Sequence, residues 1–252
     1  MATDTTLLFS FAHPDDESFC GAGTAMKCAA AGARIALVTA TRGERGSAGD
    51  PPLCAPDDLG ACREQELREA ARIIGFDELH VLDYRDRELT DAPADAVRRS
   101  LVALIRRLRP SVVLTFDPEG VNRHPDHMAI SRFTSDAVAA AADARWYPEL
   151  GDPYTIDRLL WTPPVAPWDA VKIDRLEDQP GVDFLIDVSS WRDRRAAALR
   201  AHRTQRKSID RCFFDGHDGG RILGLEMWRQ GRGPALRRRP EDDILVGGAV
   251  QG

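Results

Sequence analysis

The sequence predicts an α/β fold: a Rossmann-like, doubly wound, mostly parallel sheet with helices on both faces and a C-terminal cap region. Two observations carry this. Short β-branched or apolar runs alternate with helix-like stretches through the first half of the chain, as in successive βαβ units. The helix stops keep the same phase, with Gly32 after the first helical stretch, Gly75 after the second and Pro110 after the third. A chain of 252 residues, 43% of them hydrophobic, has the material for one large core. A single domain over residues 1–252 is therefore expected, with 1–143 as the Rossmann-like core and 144–252 as cap and C-terminal elements.

Taken in order, strands are expected at about 6–12, 33–40, 79–83 and 111–116, with helices at about 17–31, 62–75, 94–109 and 126–142. After residue 143 the run "RWYPELGDPYTIDRLLWTPPVAPWD" mixes aromatics, Pro and Asp, and predicts a cap or edge region holding one strand at about 158–162. A strand at about 183–188, a helix at about 190–203 and a closing strand at "DDILVGG" resume regular structure. The Gly-, Pro- and Asp-rich stretch over 45–60 reads as a long loop at a strand exit, and such loops often act as lids.

Composition excludes several classes of function. A net charge of −6 and a pI near 5.6 argue against an electrostatic grip on nucleic acid or an anionic membrane. Arg237–Arg239 then reads as solvated surface. There is no apolar stretch of about 18 residues and no signal-peptide pattern in the first residues, so a cytoplasmic location is expected. Five cysteines without C-x-x-C spacing indicate neither a disulfide framework nor a cysteine zinc site, and Cys20 and Cys28 read as helix-packing residues. "GAGTA" lies inside a helix and lacks the spacing of a dinucleotide fingerprint.

Doubly wound sheets bind ligands outside the carboxyl ends of their strands, so the strand exits carry the chemistry. The first reads "HPDDE" after "TLLFSFA". Pro14 and the carboxylates suit a helix start, but His13 is a poor cap. With His13 and Asp16 three residues apart across a tight turn, an imidazole nitrogen and a carboxylate oxygen can converge on one ion. The exit after "SVVLTF" repeats the theme in "DPEGVNRHPDH", with His124 and His127 three apart. Either "HPDH" only caps a helix and His127 is a packed core residue, or two histidines and an aspartate form an N/O ligand set with room for water.

"AHPDDE" followed by "HPDH", together with "TRGERG", "REQELREAARIIG" and "DYRDREL", resembles the PIG-L/LmbE family of zinc-dependent N-acetylglucosaminyl deacetylases. The resemblance covers residues 6–143 well and 183–205 loosely, where "RAHRTQ" is similar to a family C-terminal helix. It implies His13, Asp16 and His127 as metal ligands and Asp15 as the base acting on a metal-activated water. His124 would stabilise the oxyanion, and Asp126 would orient a ligating histidine. Arg63 and Asp86 are implied as substrate contacts, and Glu44 either binds substrate or braces its loop. Trp146, Trp161 and Trp168 offer faces for a sugar. Glu17 reads as support for the helix start or for the metal shell, and His202 and Gln205 either form a polar helix end or approach the site from the far helix. Zn2+ is the implied cofactor, and the donor set also suits Fe2+ or Co2+. Relatives acting on the mycothiol precursor carry a tyrosine where this chain has Asn122, so a contribution from that tyrosine is absent or supplied differently.

The expected function is removal of the N-acetyl group from an N-acetylglucosamine-containing small molecule. The alternatives are an amidase acting on bulkier acyl or thiol conjugates of an amino sugar, and a non-catalytic sugar-binding protein on the same fold. The expected partner is the small-molecule substrate, without nucleic acid or membrane, and homo-oligomerisation stays open.

Overall fold

The computed structural model describes residues 5–215 and 219–245. Its strands are β1 (Thr6–Phe11), β2 (Arg34–Thr41), β3 (Glu78–Tyr84), β4 (Val112–Thr115), β5 (Arg158–Trp161), β6 (Phe184–Asp187) and β7 (Leu225–Arg232). They form one sheet in the order β3-β2-β1-β4-β5-β7-β6. The first five strands pair in parallel, and β7 runs antiparallel to both β5 and β6. Strands β1 and β4 are buried throughout, as a parallel sheet covered on both faces requires. They are also direct neighbours, with Leu7 opposite Val112 and Phe9 opposite Leu114, so the "HPDDE" and "HPDH" exits emerge side by side at the topological switch point.

The helices are α1 (Asp16–Cys20), α2 (Ala22–Ala30), α3 (Leu59–Ile74), α4 (Ala94–Leu108), α5 (Gly120–Arg123), α6 (Pro125–Ala141), α7 (Pro167–Ala170), α8 (Arg192–Ala201), α9 (Arg206–Ile209) and α10 (Gly219–Gly224). The single helix expected over 17–31 is two, broken at Gly21. A Cβ there would lie 2.8 Å from the Phe9 ring, so the break lets the chain pass close to the core. The closing strand at "DDILVGG" does not form over Asp242–Leu245, and the rest of that run lies outside the described residues. Strand β7, absent from the sequence expectation, takes its place in the sheet. Its inward-facing residues include Glu226, buried against Arg195, which hides the apolar alternation that marks a strand.

The main core runs from β1 through α2, α4 and α6 to Trp228 on β7, and smaller apolar clusters lie under α9 and α10 and beside α7. Phe9 is 0% exposed and meets Phe76 and Trp228 edge-on at 5.5 and 6.4 Å. Phe9→Ala is expected to cost about 3–5 kcal/mol, read as a lower urea midpoint, and a loss below about 1 kcal/mol would contradict this packing. No helix among the described residues is long and apolar enough to cross a membrane.

Candidate active site

The site begins where β1 stops. Asp15, at the N-cap position of α1, has φ 112°, an uncommon value for a non-glycine residue, and its carboxylate makes no cap hydrogen bond. Its backbone N–H donates to Glu17 Oε2 at 3.0 Å. Arg63 on α3 donates to Pro14 O at 2.5 Å and to Asp15 Oδ2 at 3.1 Å. Burial pushes the Asp15 carboxyl up to about 6, although the Arg63 guanidinium opposes the shift. Asp16 points the other way and caps the turn, accepting the N–H groups of Ala12 and His13 at 3.1 and 2.8 Å.

His13, Asp16 and His127 converge. His13 Nδ1 lies 3.2 Å from His127 Nε2 and 3.6 Å from Asp16 Oδ2, and His127 Nε2 is 3.3 Å from Asp16 Oδ1. The outer face of each imidazole is engaged. His127 Nδ1 faces Gly120 O at 3.2 Å, which makes Nδ1 the donor and turns the Nε2 lone pair inward. His13 Nε2 faces Asp86 Oδ1 at 3.1 Å and Asp126 Oδ2 at 3.2 Å. Both carboxylates also accept backbone N–H groups: Asp86 from Arg45, and Asp126 from Arg87 and Leu89. An Nε2–H held by acceptors leaves Nδ1 facing Asp16 and His127, the arrangement in which ligating histidines are held by outer carboxylates and carbonyls. Two overlapping groups of side chains have their ligand atoms close enough to hold a cation: His13, His124 and His127, and His13, Asp86 and Asp126.

The charges match a site that favours a positive ion. Burial raises the Asp16 carboxyl, but His127 and His13 more than reverse this and hold it well below the usual range. Asp86 is likewise held at about 2 despite burial, through His13. His13 itself is raised well above its ordinary value, with Asp126, Asp16 and Asp86 overcoming the opposing effect of burial. A bound cation would replace the proton on Nδ1, so loading releases protons.

His124 caps α6, its Nδ1 accepting the Asp126 N–H at 3.2 Å, so that Nε2 is left as the donor. Burial and the neighbouring His13 and His127 lower its pKa, which keeps the ring neutral near pH 7. Phe116, at the end of β4, stacks on the His127 ring at 4.0 Å and 10°. Phe116 and the Gly120 carbonyl escape a sequence reading because a stacking ring and a main-chain oxygen leave no motif; the one cue is their place at a strand exit.

A cavity of about 700 Å³ opens over the cluster. Among its lining residues are the expected Asp15, Asp16, His13, His124, His127, Arg63 and Asp86, and also Trp168. Glu44 does not line it: its carboxylate accepts the Asp86 N–H at 2.9 Å and braces the loop that carries Asp86. Trp146 and Trp161 do not line it either. Asn122 lines the cavity and accepts the His124 N–H at 3.1 Å. Arg45, Lys172 and Arg211 add cationic groups at the mouth.

The fold and this cluster define an α/β protein with a preorganised nitrogen and oxygen donor site at the switch point of its sheet. More particularly, the chain belongs to the PIG-L family, described as GlcNAc-PI de-N-acetylase, whose pattern matches residues 8–138. It is 34% identical over 287 aligned residues to a 1D-myo-inositol 2-acetamido-2-deoxy-alpha-D-glucopyranoside deacetylase of Streptomyces scabiei, covering 96% of this chain and 89% of that one. The fold is shared with a conserved protein of Thermus thermophilus, at TM-score 0.68 and 28% identity over 92% of this chain and 96% of that one. It is also shared with N,N'-diacetylchitobiose deacetylase from Pyrococcus horikoshii, at TM-score 0.70 and 21% identity over 90% and 83% of the two chains.

Proposed function

We propose that this protein removes the N-acetyl group from an N-acetylglucosaminyl glycoside by metal-dependent hydrolysis, with His13 Nδ1, Asp16 and His127 Nε2 as ligands. The observation that carries the reading is the outward pinning of both imidazoles, by Gly120 O on one and by Asp86 and Asp126 on the other, which leaves their inner nitrogens turned to the same point. The family membership and the named activity of the relatives support the reaction class. When bound, zinc or a similar divalent ion would supply Lewis-acid polarisation and bring the pKa of water towards about 7.

The residues of the chain divide the remaining work. Asp15, free of capping duty and held by Arg63, takes the proton from the attacking water and returns it to the departing amine. His124, neutral and donating through Nε2, stabilises the oxygen that becomes negative as the acetamide carbonyl turns tetrahedral. Asp126 and Asp86 hold His13, and Arg63 and Asp86 border the space the sugar would fill. Trp168 offers an aromatic face at the mouth. The substrate is a small amino-sugar conjugate, and the inositol glycoside of the relatives is the first to test.

Metal-depleted protein is expected to release no acetate from that glycoside, and Zn2+, Fe2+ or Co2+ is expected to restore the reaction. Full activity after chelation, verified by elemental analysis, would sink the metal-dependent reading. Acetate release from none of a panel of N-acetylated amino sugars by metal-loaded protein would sink the deacetylase reading.

A further inference from the structure

Behind Asp15 lies a buried ionisable pair that the reaction above does not use. Glu17 is 1% exposed and His202, just past α8, is 0% exposed. His202 Nε2 sits 2.8 Å from Glu17 Oε1, and Ser18 Oγ donates to the same oxygen at 2.5 Å. The second oxygen, Oε2, accepts the Asp15 backbone N–H at 3.0 Å. Burial pulls the His202 imidazole down, yet the Glu17 carboxylate outweighs it and holds the ring above its ordinary value. His202 Nδ1 has no partner among the described residues, so the polar chemistry of the ring is directed at Glu17, with Ser18 3.4 Å away. Ion pairs buried this deeply are often no more stabilising than apolar residues of the same volume, so stability alone does not account for them.

What the pair holds is the strained residue. A positive φ outside glycine costs on the order of 1–3 kcal/mol and persists only where the surroundings over-determine it. Glu17 fixes the N–H of Asp15, and the Asp15 carbonyl accepts the N–H groups of Ser18 and Phe19. Arg63 fixes Pro14 O and the Asp15 carboxylate. Residues next to His202 tie the same region to the cap: Thr204 bonds Glu66 on α3 through both its N–H and its hydroxyl, and Gln205 donates to Ser47 O at 2.7 Å. Glu66 lies one helical turn from Arg63, so the segment after α8 braces both supports of Asp15.

We propose that Glu17 and His202 are positioning residues that hold the Asp15 carboxylate in its reactive orientation, His202 acting only through Glu17. This rests on the reading of Asp15 as the base. In the zinc-loaded full chain acting on 1D-myo-inositol 2-acetamido-2-deoxy-alpha-D-glucopyranoside, His202→Phe is expected to lower kcat at least about tenfold while KM and zinc stoichiometry stay within about twofold. His202→Gln, whose amide N–H can still reach Glu17, is expected to recover most of that loss. In an Asp15→Asn background His202→Phe is expected to cost less than about twofold more, because residues that act as one unit do not add.

Wild-type kcat in His202→Phe would overturn the proposal. So would a rise in KM and a fall in zinc content alongside the loss of kcat, or an undiminished loss in the Asp15→Asn background, since each marks a merely structural tie. Should His202→Phe not fold, Glu17→Gln is read by the same criteria, because one amide oxygen cannot serve the three donors that Glu17 now accepts. The Asp15→Asn variant alone separates the two layers. Wild-type kcat there removes the base and the positioning role together, whereas its loss beside unimpaired Glu17→Gln and His202→Phe removes only the positioning role.

Discussion

Asp15→Asn is expected to lower kcat by about 10²–10⁴ while the protein keeps its metal, the range that a positioned general base contributes. Asparagine is the apt replacement because it tolerates the positive φ of this position better than other residues and keeps the shape of the side chain. What it loses is the capacity to take a proton. In free energy the effect is about 2.7–5.4 kcal/mol of barrier. The check is kcat for acetate release alongside zinc stoichiometry, and a kcat within tenfold of wild type at full zinc content would remove Asp15 from the role.

The acid limb of the pH profile follows from the same carboxyl. The base works ionised, so activity falls as the pH drops through its pKa. Burial pushes Asp15 up to about 6, and Arg63 pulls it down. A divalent ion held by His13, Asp16 and His127 would favour the ionised form further and would place the limb of the loaded protein below that value. Arg63→Met removes the opposing charge, so the limb should move to higher pH. A change confined to KM would instead make Arg63 a substrate contact only.

The two strand exits were legible because a parallel sheet dictates where function sits. Once "TLLFSFA" and "SVVLTF" are read as neighbouring strands, His13, Asp16, His124 and His127 fall at one edge. Strand β7 was not, because buried Glu226 needs Arg195, and a pairing across about thirty residues leaves no local periodicity. The same limit explains Glu44, which the motif marks but which serves the Asp86 backbone, and Glu17, whose partner is 185 positions away. Motifs name side chains; the main-chain groups of Gly120, Arg45, Arg87 and Leu89 that complete the site are invisible to them.

Asp126→Asn should weaken zinc binding about 10–100-fold without abolishing it, the usual effect of removing a group that orients a ligand. Asp126 now accepts from His13 Nε2, Arg87 N–H and Leu89 N–H. An amide in its place turns an NH2 towards one of these donors, which costs about 1–3 kcal/mol for the group left unpaired. Asp16→Asn is expected to do more, because the charge it removes lies between His13 and His127 on the inner face, and it should leave the protein without stoichiometric zinc. Comparing the two variants by zinc titration distinguishes the faces of His13. If the ion were instead held by His13 Nε2, Asp86 and Asp126, the order would reverse, with Asp126→Asn abolishing loading and Asp16→Asn sparing it. The expected order follows from hydrogen-bond accounting: both oxygens of Asp126 already accept backbone N–H groups, from Arg87 and Leu89, whereas Asp16 gives Oδ2 to the N–H groups of Ala12 and His13 and turns Oδ1 to His127 Nε2 at 3.3 Å.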